Sequence, residues 1–151
     1  MIIRRTKQPW MDAGEFGRTL PRGVGVNLLV GDMEAQVRFC RDVLGAMVLY
    51  NDEDFAAIEL AGSVFMLHCD HTYSDHPMSG VVGGLALRGQ GIEIRIYGVE
   101  PDRVEARAID SNENCTVLSG SLDKPHGLRE CYIVGPEGFV WVPSATSGQA
   151  V

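Results

Sequence analysis

No stretch of the chain approaches the roughly 18 to 20 consecutive apolar residues of a membrane-spanning helix, so a membrane role is not expected. Basic residues are scarce: 13 Lys and Arg stand against 20 Asp and Glu, giving a net charge of -7. Without a basic stripe to neutralise phosphates, nucleic acid is not an expected partner. Arg4, Arg5 and Lys7 make a short basic start, but no apolar run follows it, so it does not read as a secretory signal. Cys40, Cys69, Cys115 and Cys131 form no CxxC pair, which removes the common zinc and redox modules. They read as reduced thiols acting as small buried hydrophobes, and the expected compartment is the cytoplasm. At 151 residues the chain suits one domain whose core needs no disulfide or metal staple.

What the chain does have is an internal repeat. Val24, Val26, Leu28 and Val30 alternate with Gly25, Asn27 and Leu29, as in a half-buried strand, and the strand ends at Gly31-Asp32. The same design returns 66 residues later, where Ile92, Ile94 and Ile96 alternate with Gly91, Glu93 and Arg95. Both copies open on glycine, carry a polar side chain two residues on, and run into a helix. A repeat of this length dictates architecture. It also singles out the face that holds Asn27, Glu93 and Arg95.

In chain order, residues 1–22 carry Pro9, Gly14, Gly17 and Pro21 without a sustained period. They read as an N-terminal arm that Trp10 and Phe16 dock onto the body. A strand is expected at 24–31. Asp32 then caps a helix on which Met33, Val37, Cys40 and Leu44 recur at helical spacing, flanked by Phe39 and stopped by Gly45. Three strands follow at 46–51, 54–61 and 63–69, completing a βαβββ module over 23–69. The stretch 70–90, with Pro77, Gly80, Gly83, Gly84 and Gly89, reads as a long linking loop, and such loops are often functional. The second module, 91–143, repeats the order. Its strand at 91–98 leads to a helix at 101–111 with Pro101 in the first turn and Val104, Ala108 and Ile109 inward. Its last strands fall at 114–118, 128–134 and 138–143, leaving 144–151 as a tail. The fold class is α+β: two βαβββ modules in one chain.

Val30-Gly31-Asp32 before a helix ending Phe39-Cys40-Arg41-Asp42-Val43-Leu44-Gly45, and the late Gly127-Leu128-Arg129-Glu130 with Pro136-Glu137-Gly138, resemble one family. The chain is similar to the vicinal oxygen chelate superfamily, which includes glyoxalase I, the bleomycin resistance proteins and the extradiol dioxygenases. The resemblance covers residues 24 to 143 and departs at Gly135, where the family usually has aspartate. It implies that the two modules form a curled mixed sheet enclosing a cup, with helices on the outer face, in which metal-dependent members take His, Gln or Glu ligands from the opening and closing strands of each module. The ion chelates two substrate oxygens there. Carried over, those positions are Gly25, seven residues before Asp32, then Met66, Gly91, and Val142, four residues after Gly138. Glycine and valine offer no donor, and a thioether suits hard or borderline ions poorly. The resemblance therefore implies the metal-free branch, in which the cup sequesters a small organic molecule, with no cofactor and with a homodimer as the assembly.

The ligand contacts expected are Asn27, Met66, His68, Glu93, Arg95, His126 and Arg129. His68 shares strand parity with Val64 and Met66 and so faces the cup. Glu93 and Arg95 are either polar anchors in an apolar cavity or a mutually paired surface set. His126 and Arg129 border the cup mouth, or Arg129 pairs with Glu130 at the surface. Tyr50, Phe55 and Tyr132 could stack on an aromatic ligand or belong to the core, and Trp141 reads as core. An enzyme of the same fold stays open as the alternative. It would use a metal relocated to His68, His71 and His76 with Asp70 or Asp75, or Glu93 as general base.

Overall fold

The computed structural model describes residues 10–82 and 85–147. The basic start, Gly83, Gly84 and the end of the tail lie outside the described residues. The first module runs β1 (Asn27–Val30), α2 (Met33–Asp42), β2 (Met47–Asn51), β3 (Phe55–Leu60) and β4 (Ser63–Cys69), preceded by α1 (Ala13–Thr19). A 3-10 turn at Asp70–Tyr73 and the short helix α3 (Ser79–Val82) then lead to the second module. That module has β5 (Glu93–Tyr97), α4 (Pro101–Asp110), β6 (Thr116–Asp123), β7 (Leu128–Val134) and β8 (Val140–Thr146).

The repeat is exact in topology. One sheet has the order β1-β4-β3-β2 and the other β5-β8-β7-β6, and in each the opening strand lies parallel to the closing one. Each module keeps its own four-stranded sheet. A parallel neighbour demands a crossover, and α2 and α4 are those crossovers. Asp32 starts α2 with its Oδ1 accepting from the Ala35 amide at 3.0 Å. Met33, Val37, Phe39 and Cys40 bury one stripe of α2, and Pro101, Val104 and Ala108 bury one stripe of α4. Ile109, expected inward, is exposed, because one residue past Ala108 the helix has turned by about 100°.

Both helices cover the same side of their sheets, and the two modules share one core there. The Trp141 ring of β8 lies 6.2 Å from Phe39 of α2 and 5.6 Å from Phe65 of β4. The opposite side, here called the inner face, carries the alternate residues. On the first sheet, Asn27 pairs with Met66 and Met66 with Ala57, while Leu29, His68 and Phe55 align in the next row. On the second, Glu93 pairs with Val140, Arg95 with Val142, and Tyr97 and Glu130 both with Ser144.

A latch fastens the linking loop between the modules. Arg88, whose side chain is 5% exposed, donates to both Asp70 oxygens at 2.5 and 2.6 Å and to the Leu29 carbonyl at 3.0 Å. Its Nε lies 3.4 Å from Glu137, whose own oxygens accept from the Gly31 amide and the buried Gln36 side chain. Next to it, any Cβ on Gly89 would fall 2.4 Å from the Gly138 carbonyl oxygen, so the chain can pass only as glycine.

Several further sequence expectations need correction. The strand expected from 24 begins at Asn27, so Val24 and Val26 are exposed. The N-terminal arm contains a helix, α1, and the 70–90 loop contains a 3-10 turn and α3. β6 runs to Asp123 rather than stopping at 118. The last strand runs from Val140 to Thr146, so Ser144 is a buried strand residue and not the start of a tail.

Candidate functional site

The inner face of the first module is apolar and aromatic. A cavity of about 190 Å³ is walled by Trp10, Phe16, Tyr50, Phe55, Met66 and His68. Trp10 stacks on Tyr50 with centroids 4.9 Å apart and 14° between planes, and Phe16 meets Phe55 edge-on at 5.5 Å. Bonded to the His68 of this wall, Asn27 donates from Nδ2 to the Tyr73 hydroxyl at 2.9 Å, and its Oδ1 lies 2.5 Å from His68 Nδ1. With the amide in that orientation, Asn27 Oδ1 faces the His68 ring and holds its plane. Asn27, Met66 and His68, three of the expected contacts, meet here because the parallel register sets β1 against β4.

The second inner face is charged. Arg95 donates to Glu93 at 3.0 Å and to Glu130, and its guanidinium lies 5.9 Å over the Tyr97 ring. Glu130, with a side chain 2% exposed, is also 3.4 Å from His126 Nε2. Burial works against both charges. For Arg95 the hydrogen bonds with Tyr132, Tyr97, Glu93 and Glu130 more than offset it and raise its pKa. For Glu130 the Arg95 guanidinium and His126 outweigh burial and hold the carboxyl below the usual range. Of the two readings for Glu93 and Arg95, the paired one describes the geometry. The expected pairing of Arg129 with Glu130 does not form. Successive residues of a strand point to opposite faces, so Arg129 turns outward to Asp102 at 2.6 Å and Asp123 at 3.2 Å. Arg129 is thus a surface ion-pair residue on the helix side, away from Arg95.

The histidines after β4 do not converge. His68 serves the relay, His71 pairs with Asp54 at 2.7 Å, and His76 accepts from the Met78 amide at 3.1 Å. Among the described residues no three His, Cys, Asp or Glu side chains are grouped as a metal cage. Other hollows lie among the described residues. A cleft of about 330 Å³ lies between the modules against Val26, Phe65, Arg95 and Trp141, and an open groove of about 1030 Å³ follows the outer side of α2. Trp10, Phe16, Tyr73 and Glu130 were missed as inner-face residues. Only Glu130 left a sequence signal: it has the strand parity of Tyr132.

No protein-family model matches the sequence, and no curated protein matches it. Solved structures do. A glyoxalase/bleomycin resistance protein/dioxygenase family enzyme from Burkholderia phytofirmans PsJN superposes with a TM-score of 0.65 at 13% identity, over 80% of this chain and 95% of that one. A glyoxalase/bleomycin resistance protein/dioxygenase from Nocardioides gives 0.60 at 22% identity, over 91% and 92%. TioX from Micromonospora sp. ML1 gives 0.60 at 18% identity, over 85% and 99%. The chain has the glyoxalase/bleomycin resistance/dioxygenase fold.

Within that fold the four positions that would supply metal ligands do not fit a divalent ion. Gly25 has open space where a side chain would stand, Met66 is a cavity wall, and Val142 is buried. Gly91 adopts φ of 77° in the turn before β5, a left-handed conformation that resists any ligating side chain. Two carbonless side chains, a thioether and an isopropyl group hold no hard or borderline cation.

Proposed function

We propose that this chain binds a small organic molecule on the inner face of its first module, without a metal ion at the positions the fold family uses. The observation that carries the reading is the pairing of an aromatic cavity with a polar relay, His68-Asn27-Tyr73, in a fold whose usual ligand positions here, Gly25, Met66, Gly91 and Val142, offer no donor suited to a hard or borderline cation. Binding pockets are commonly apolar with a few convergent polar groups that orient the ligand. Met66 supplies a polarisable wall, and His68 supplies the orienting group. Arg95, held between Glu93 and Glu130, is the anchor the second module offers to a polar part of the ligand, with His126 beside it. Glu93 as a general base would first have to leave Arg95, and no geometry favours that step. The reading keeps the protein in the cytoplasm, as its four free thiols suit, and includes a homodimer, which sedimentation will check.

The test is metal analysis of protein purified without chelator, with thermal shifts on adding Zn, Ni, Mn and Fe(II). No stoichiometric metal and no shift are expected. One tightly held ion per chain would overturn the reading and return attention to His68, His71, His76 and Asp70.

A further inference from the structure

We infer that the first-module cavity is an aromatic slot for a planar ring system, and that the N-terminal segment Trp10–Thr19 is a lid whose Trp10 occupies that slot until a ligand replaces it. The inference rests on the proposed binding role and names the class of molecule bound. Trp10 is nearly parallel both to Tyr50 and to Phe55, at 14° and 18°, and lies against these two neighbouring rings as a flat guest would. Its indole is nonetheless 40% exposed, so it lies in the mouth of the slot and not in the core. The lid is thinly held. α1 has no buried residue, and among the described residues its hydrogen bonds are local: the Asp12 cap on Gly14 and Glu15, and Thr19 on Phe16. Beyond it, residues 20 to 25 are all exposed. Segments with few buried contacts and local hydrogen bonds are the ones that open first.

Size sharpens the class. With the lid seated, about 190 Å³ remains, near the 150 Å³ that accepts one benzene in an engineered cavity. A single small ring fits beneath the lid. A planar molecule of two or more rings needs the space of the Trp10 indole and must displace it. The wall chemistry favours flatness: Tyr50 and Phe55 present ring faces, and Met66 presents a sulfur that contacts aromatic edges well. A hydroxyl or ring N–H on the guest would point at His68, whose ring Asn27 holds.

The test uses full-length protein labelled with carbon-13 at the methionine methyls, the Met66 signal being assigned with Met66→Leu. The probes are β-naphthol, which is planar, and β-decalol, its saturated analogue with the same hydroxyl. β-Naphthol should shift the Met66 methyl and bind Trp10→Ala about tenfold tighter than the parent chain, because the competing closed state is gone. Trp10→Leu, which keeps apolar bulk without a stacking plane, should tighten binding likewise and stands in if the alanine variant does not fold. β-Decalol should bind at least about tenfold more weakly than β-naphthol. Equal or weaker β-naphthol binding by both Trp10 variants would make Trp10 a fixed wall and overturn the lid. β-Decalol binding as tightly as β-naphthol, with the Met66 shift, would overturn the planar class while leaving the binding role intact. No Met66 shift with either alcohol in any of these proteins would sink the inference together with the role beneath it.

Discussion

The two modules share strand order, crossover helix and opening glycine, yet their inner faces carry opposite chemistry. The first is lined by aromatic rings and a methionine beside a hydrogen-bonded relay; the second holds Arg95 between two carboxylates. What the duplicated fold conserves is the helix-side core, where Phe39, Phe65 and Trp141 interlock across modules. The inner faces are free to diverge, because alternate residues of the same strands can change without touching that core.

Substitutions can break this comparison, beginning with the residue that belongs to both halves. Arg88→Ala leaves Asp70 and Glu137 facing a shielded void and should cost about 3 kcal/mol in urea unfolding. A loss under about 1 kcal/mol would mean the modules do not depend on the latch. Arg95→Ala acts on the second face alone. It strands the buried Glu130 carboxylate and should cost about 2 kcal/mol at neutral pH, less than a fully buried pair because Arg95 is partly solvated. The cost should shrink in acid. Glu130 has a folded pKa below its ordinary 4.5, so it releases its proton more readily in the folded chain. Its stabilisation is complete above about pH 4.5 and is lost as pH falls through the folded value. A cost for Arg95→Ala that stays constant from neutral to strongly acidic pH would show that Glu130 is not the group stranded.

On the first face the effects are smaller, since no buried ion pair is broken. Tyr73→Phe removes the acceptor for Asn27 Nδ2 and should cost about 1 kcal/mol in urea unfolding. Smallest of all in stability, yet sharp in rate, is thiol labelling. Burial pushes the Cys40 thiol up to about 12 and Cys131 up to about 11. Both should resist iodoacetamide in the native protein while the part-exposed Cys115 reacts, and fast labelling of Cys40 would contradict the core as described.

The sequence carried the fold well, because its signals are local and periodic. Alternation marks the strands, Asp32 and Pro101 mark the helix starts, and the 66-residue echo marks the duplication. It carried the site less well. α1 went unseen because a helix with two glycines and no buried residue has no apolar stripe to read. β6 was cut short because Ser119-Gly120 reads as a turn, although Glu105 of α4 reaches across to accept from the Ser121 amide at 2.8 Å. The vacancy at the usual metal positions was legible residue by residue. The relay was not, since Asn27 and Tyr73 lie 46 residues apart and meet only through the β1/β4 register. Glu130 could have been found by parity, and Arg129 excluded by the same rule.

The most direct test of metal-independent binding is the β-naphthol isotherm read on the Met66 methyl, recorded with excess EDTA and again with Zn, Ni, Mn or Fe(II) added. The curves should superimpose, with the Met66 shift present in every one. Binding that vanishes with EDTA and returns with one of these ions would contradict the account.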